Sequence, residues 1–270
     1  MSRQRPKSDK PSSQGWRGKQ RRAPEGRGPR RGGDSDAIVL FGLHAVEAAL
    51  ANPKRELVKL IATEHAAERL APLIVKRGVR VEHATPRDLD RLVGADQVHQ
   101  GIALEVEQLP PVWLDEADHD GILIVLDQVT DPHNVGAVLR SAAAFGASGL
   151  VLTERHSPPL SGALAKVASG ALDIVPVILV KNLAQALAEL GELGFLRVGL
   201  AEEGDQALET IALTRPLALV LGAEGSGLRQ LSKQHCDRLC RISTKSALAS
   251  LNVSNAAAIA LHWASLNAKG

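Results

Sequence analysis

Three polar loops hold the residues whose types and spacing could do chemistry. The first, DQVTDPHNVGAVLRSAAAFG (127–146), carries Asn134 and Arg140. Asn134 suits a helix cap, where a side-chain oxygen accepts from a free backbone N–H. With helical periodicity, Val138, Leu139, Ala142 and Phe145 gather on one side and Arg140 falls opposite, so Arg140 is either a solvated charge or part of a polar cleft. The second loop, LVLGAEGSGL (219–228), has Gly222, Gly225 and Gly227, which permit positive φ and close approach of a ligand to the backbone. Their spacing is not a dinucleotide fingerprint, and no Gly-Lys-Ser/Thr follows, which excludes a P-loop. Glu224 within it would repel phosphate and suits ribose hydroxyls, an ammonium group or an arginine. The third, RISTKSALASLNVSNAAAIALHW (241–263), runs through Ser250 to a helix that Asn252 or Ser254 could cap. Ser250 has no Gly-x-Ser-x-Gly context and no neighbouring base, which argues against a hydrolase nucleophile. These residues describe a polar site built from three loops and name no reaction.

The elements that must position them form an α/β pattern. Near-continuous apolar runs at 122–129, 149–153, 174–179, 195–201 and 217–222 read as strands covered on both faces of a parallel sheet. Helices are expected at 134–146 and 182–194, with a last one over Asn255–Asn267. All three loops lie beyond strands or lead into helices, where ligand sites of open α/β sheets lie. A smaller α/β unit is expected over 37–109. Its helices are 43–51, 67–78 (ending at Gly78) and 85–94 (capped by Thr85), and its strands are 58–63, 79–84 and 101–107. Pro110-Pro111 and the acidic stretch after it mark a linker over 110–120, so the second unit spans 121–270.

Composition narrows the class. The net charge of +2 conceals a segregation: residues 1–33 carry 11 Lys/Arg against 2 Asp/Glu, a net of +9, which leaves −7 on the rest. Residues 1–36 are too polar and too rich in Arg, Gly and Pro to bury a core, so a disordered basic arm is expected, suited to phosphate contacts or to solubility. No apolar run approaches a membrane span. Cys236 and Cys240 do not have zinc spacing; they read as buried thiols one helical turn apart, in a reducing, cytoplasmic setting. With 2% aromatic residues and no Tyr, the composition argues against RNA modules that stack bases on aromatic platforms. Lys76, Arg77, Arg87, Arg91, His44 and His99 of the small unit are candidate RNA contacts or plain surface and structural residues.

Taken in order, NVGAVLRSAAAFG (134–146), LVLGAEGSGL (219–228) and ISTKSALASLNVSNAAAIAL (242–261) resemble the three signature motifs of the SpoU (TrmH-type) branch of the SPOUT methyltransferases. FGLHAVEAAL (41–50) and HQGIALEVE (99–107) resemble the RNA-binding accessory domain, similar to ribosomal protein L30e, of the family's 23S rRNA guanosine 2′-O-methyltransferases. The resemblance implies a trefoil-knotted α/β domain, a homodimer, and S-adenosyl-L-methionine held by main-chain groups around Gly222, Ile242 and Leu251. It places Asn134, Arg140, Ser250 and Asn252 at the catalytic positions and gives Glu224 a structural role or the orientation of Arg140. Ile242-Ser243-Thr244 stands where the family has Ile-Pro-Met, a departure at the cofactor rim. The implied function is methylation of a guanosine ribose 2′-hydroxyl in 23S rRNA, without a metal. A tRNA or antibiotic-resistance ribose methyltransferase shares the motifs. A non-catalytic ribosome-assembly factor would not need them.

Overall fold

A computed structural model of the chain describes residues 37–245 and 251–269; the expected basic arm and Ser250 lie outside the described residues. The first part contains β1 (Ile38–Phe41), α1 (Leu43–Ala51), β2 (Leu57–Ala62), α2 (Glu64–Arg69), α3 (Ala71–Arg77), β3 (Val81–His83), α4 (Pro86–Val93) and β4 (Ile102–Val106). Its strands form one sheet in the order β1-β4-β2-β3. α4 begins as its sequence dictates: Thr85 Oγ1 accepts from Asp88 N while the Asp88 carboxylate accepts from Thr85 N, with Pro86 in the first turn. The helix expected over 67–78 is instead two, α2 and α3, broken at Leu70. Pro72 explains the break, since its ring would collide with the carbonyl four residues earlier in a continuous helix.

The second part contains β5 (Ile122–Asp127), α5 (Pro132–Ala144), β6 (Gly149–Thr153), α6 (Gly162–Val167), β7 (Val177–Val180), α7 (Leu183–Glu192), β8 (Leu196–Leu200), β9 (Gln206–Ala207), β10 (Leu217–Gly222), α8 (Gln230–Gln234), β11 (Arg238–Arg241) and α9 (Val253–Asn267). The strands make a seven-stranded sheet in the order β7-β6-β5-β10-β8-β11-β9, and every pairing in it is parallel. The apolar run of β5 serves both faces. Ile122, Ile124 and Leu126 join a cluster with Val138 and Leu139 of α5 and Ala257 and Leu261 of α9, while Leu123 and Val125 meet Leu183, Leu187 and Leu190 of α7. The strand expected over 174–179 is confined to β7, because Ala171–Asp173 turns into a 3₁₀ helix and Pro176 has no N–H for a ladder. Cys236 and Cys240 do not share a helix: Cys236 follows α8 and Cys240 is buried in β11. No helix among the described residues is long and apolar enough to cross a membrane.

The two sheets share a core and are bolted together. Leu40, Val46 and Leu60 belong to the same buried cluster as Ile124 and Leu150. The connector expected over 110–120 is itself anchored, with Leu114 and Ala117 packed against Leu123 and Phe195. Arg55, 3% exposed, meets Asp173, 1% exposed, at 2.8 Å. The Arg55 guanidinium also donates to Glu107 O at 3.0 Å, and Asn52 Nδ2 donates to Asp173 Oδ1 at 3.1 Å. Arg77, a candidate RNA contact, is engaged elsewhere: its guanidinium donates to the carbonyls of Leu50, Asn52 and Arg55. At Gly162, which opens α6, any side chain would strike the Val39 carbonyl of β1.

Two expectations follow. Asp173→Ala strands a buried guanidinium and should destabilise the fold by about 3–5 kcal/mol, read from urea unfolding; a loss below about 1 kcal/mol would show the pair to be dispensable. Burial pushes the Cys236 thiol up to about 12 and the Cys240 thiol upward. Both should therefore resist alkylation at mildly alkaline pH in the folded protein and react promptly in denaturant, as mass spectrometry would record.

Candidate active site

β5 and β10 are central neighbours, with Asp127 opposite Gly222 at their carboxyl ends. The loops that follow are therefore delivered to the same place. Asp131 caps α5 by accepting from His133 N at 2.9 Å, and Pro132 occupies the first turn. The cap expected at Asn134 is thus displaced to Asp131, because a proline just after an Asp starts the helix earlier. This frees the Asn134 side chain, which donates from Nδ2 to Glu224 Oε1 at 2.8 Å. Asn252 fulfils its expected cap on α9, accepting from Ser254 N at 2.8 Å. Its Nδ2 donates to Asn134 Oδ1 at 3.0 Å and also to Glu224 Oε1. One carboxylate oxygen thus gathers two amides, and three residues from three separate loops form one cluster.

Glu224 sits in a tight turn, with Ser226 N donating to Glu224 O at 2.9 Å and Gly227 N to Ala223 O at 2.8 Å. Gly225 (φ 76°) and Gly227 (φ 62°) supply the left-handed backbone this requires. Gly222 has no room for a side chain against the Gly227 backbone. The turn is braced from below by Asp127, which is fully buried. Its carboxylate accepts from Arg229 N at 3.0 Å, Arg229 Nε at 2.7 Å and Ser232 Oγ at 2.6 Å, fixing the start of α8 just beyond the glycines. Sequence reasoning passed over Asp127; its signal is a carboxylate ending an apolar strand that is buried on both faces.

Beside the cluster lies a cavity of about 540 Å³. Gly222, Ile242 and Leu251, the three residues assigned to the cofactor, all line it, with Leu200, Leu221 and Val253 adding apolar surface. Glu202, Glu203 and Lys233 also line it, and Lys233 donates to the Glu203 carboxylate, holding it below the usual carboxylate range. The β8–β11 wall is fastened by Arg197, whose Nε and Nη2 reach the two Asp237 oxygens at 3.0 and 2.6 Å and depress that carboxyl likewise. Arg140 is exposed on α5, on the side away from Val138, Leu139 and Ala142, as its phase predicts. The suggested contact between Glu224 and Arg140 is not made among the described residues; Glu224 holds the two asparagines instead. His99 is structural, accepting from Gly101 N at 3.0 Å and meeting Asp90 at 3.1 Å, and Arg91 pairs with Asp88, whereas Lys76, Arg87 and His44 are exposed.

Comparison with known proteins decides the family. The model of the SpoU rRNA Methylase family matches residues 121–262, which hold all three loops of the cluster. This chain belongs to the SpoU rRNA methylase family. Within it, residues 39–112 match the model for RNA 2′-O ribose methyltransferase substrate binding. As a SpoU methylase it is similar to the 23S rRNA (guanosine-2′-O-)-methyltransferase RlmB of Pectobacterium atrosepticum, 39% identical over 234 residues covering 83% of this chain and 95% of that one. The RlmB of Yersinia pestis is 41% identical over 235 residues, 83% of this chain and 94% of its own. Among solved structures, the SpoU methyltransferase AviRb of Streptomyces viridochromogenes shares the fold, with a TM-score of 0.73 at 23% identity over 85% of this chain and 89% of that one. The same protein in complex with the cofactor AdoMet aligns with a TM-score of 0.72 at 25% identity, covering 85% and 89% of the two chains.

Because the SpoU cluster is mutually bonded, Asn134→Ala and Asn252→Ala should be strongly non-additive. In methyl-transfer assays the double variant should lose less than the product of the single losses, with a coupling of about 0.5–3 kcal/mol. Simple additivity would mean that the two amides act independently.

Proposed function

We propose that this SpoU methylase transfers the methyl group of S-adenosyl-L-methionine to the ribose 2′-hydroxyl of a guanosine in 23S rRNA. The observation that carries the reading is the bonded set of Asn134, Glu224 and Asn252 standing beside the cavity that Gly222, Ile242 and Leu251 line. The cavity fits such a cofactor: about 540 Å³ is in the range of small-molecule sites, with aliphatic walls for a base and Glu202 and Glu203 for hydroxyls or an ammonium group. When bound, the cofactor supplies an electrophilic methyl on a positively charged sulfur.

The protein's task is then at the acceptor, a weakly acidic hydroxyl that must be aligned and helped to release its proton. Arg140 is exposed and carries a guanidinium, a planar fork of N–H donors with no acceptor atom, suited to phosphate oxygens. Its role is to clamp the neighbouring phosphate and to stabilise negative charge developing on the 2′-oxygen, the proton leaving to phosphate or water as loss of the methyl leaves the sulfur a neutral thioether. Asn134 and Asn252, their amides fixed by Glu224, orient the ribose. Ser250 holds the hydroxyl or its loop. The matches to RlmB over most of both chains support 23S rRNA as the substrate, and the match of residues 39–112 supports the small sheet as its docking surface.

The same reading includes the trefoil knot, the L30e-like character of the small unit, the 37–109 and 121–270 division, a basic arm reaching phosphates, and a cytoplasmic homodimer. The insertion of β10 between β5 and β8, with α9 returning to pack on α5, supports the knot. Ile259 and Leu266, exposed on α9, support a second copy against that helix.

The test is transfer of labelled methyl from S-adenosyl-L-methionine to protein-free 23S rRNA, with tRNA alongside. Label should appear in 23S rRNA as one alkali-resistant dinucleotide, and Arg140→Ala should lower turnover by at least about 100-fold with cofactor affinity retained. Label confined to tRNA would overturn the substrate assignment, and near wild-type turnover of Arg140→Ala would overturn the role of that residue.

A further inference from the structure

Resting on the functional reading above, we infer that the turn at residues 154–157 is a phosphate-holding knuckle for the RNA strand, with Arg155 and His156 as its contact side chains. Position is the first reason. β6 lies beside β5 in the parallel sheet, so the chain leaving β6 at Thr153 emerges on the same edge as the loop that carries Asn134, about 5 Å away in strand spacing. That segment ends on the small sheet: Gly162 is pressed against the Val39 carbonyl, and Lys166 of α6 donates to Val98 O with its Nζ 5.5 Å from the centre of the Phe41 ring. The segment therefore joins the small sheet to the strand end beside the Asn134–Glu224–Asn252 cluster, and the RNA strand is proposed to follow it.

The turn is also internally bonded and open to solvent. Thr153, 7% exposed, donates its hydroxyl to the Arg155 carbonyl and lies 3.4 Å from Ser157 Oγ. Glu154 N continues the ladder to Val180 O at 2.9 Å, Pro158 is buried, and His156 holds a left-handed φ of 62°. A non-glycine residue in that conformation is uncommon. Arg155 and His156 are exposed, and among the described residues neither side chain makes a hydrogen bond or ion pair. The guanidinium presents a planar fork matched to phosphate oxygens, and the imidazole adds an N–H or a face for a base. The exposed Glu154 carboxylate cancels the local field, so the turn recognises a phosphate by contact and does not attract RNA from a distance.

The experiment uses the full-length chain and reads binding of a 23S rRNA transcript by fluorescence anisotropy across a salt series, alongside methyl transfer and calorimetric affinity for S-adenosyl-L-methionine. Arg155→Ala should weaken RNA binding roughly tenfold and reduce the slope of log affinity against log salt by about 0.7–0.9, one phosphate contact. KM for RNA should rise with kcat and cofactor affinity little changed. His156→Gly keeps the left-handed backbone while removing the ring and should weaken RNA binding; Glu154→Gln should strengthen it. Unchanged binding and salt slope in Arg155→Ala and His156→Gly would overturn the inference, as would a parallel loss of cofactor affinity, which would mark a merely structural turn. Wild-type protein that binds the transcript through Arg155 yet methylates no RNA would refute the functional reading and leave the knuckle standing.

Discussion

The site depends on a single shared acceptor. Glu224 Oε1 takes hydrogen bonds from Asn134 and Asn252, side chains far apart in the sequence, one in the first turn of α5 and the other capping α9. An ionised carboxylate has acceptors and no donors, so it fixes which end of each amide faces inward. With Nδ2 of Asn252 turned toward Glu224 and Asn134, its Oδ1 is left to cap α9, and the same bond that shapes the site also starts the last helix. The glycines around Glu224 serve this arrangement by bringing a strand end into a turn tight enough to aim its carboxylate at both helices. Asp127 does the corresponding work one layer down, tying the far side of the turn to the end of β5.

Much of this was legible in the sequence. The apolar runs of β5, β6, β8 and β10 announce a sheet covered on both faces, and the phase of α5 correctly sets Arg140 outside. The three motifs, read in order, contain Asn134, Glu224 and Asn252, which bond to one another, and Gly222, Ile242 and Leu251, which line the cavity beside them. What was not legible came from competition among local signals. Asn134 and Asp131 are both good caps, and only the proline after Asp131 decides between them. Leu70 lies inside an unbroken apolar periodicity, yet Pro72 ends the helix there. The bonding of Glu224 is non-local: nothing in its own loop says whether the carboxylate will meet an arginine or two amides. Asp127 was hidden because buried carboxylates are recognised by their partners, and Arg229 and Ser232 lie in another segment.

The relation of the two sheets bears on how a large substrate is handled. α6 and the 3₁₀ turn after it form a shelf on which β1 and α1 rest, at contacts so close that Gly162 and Gly170 admit no side chain. Such contacts hold the geometry by exclusion, whereas Arg55 and Asp173 hold it by attraction. A macromolecular substrate gripped at one sheet can then be presented to the other without a search over orientations, which lowers the entropy of reaching the reactive arrangement.

The buried pair also constrains how this chain can evolve. Arg55 and Asp173 are each almost wholly hidden, so a change at one position leaves the other charge stranded in the core until it changes too. Divergent sequences should therefore keep both or replace both, and the two positions should travel together. The same requirement restricts recombination: a small sheet borrowed from elsewhere fits this shelf only if it brings a cation to the depth of Arg55, however well its remaining surface matches.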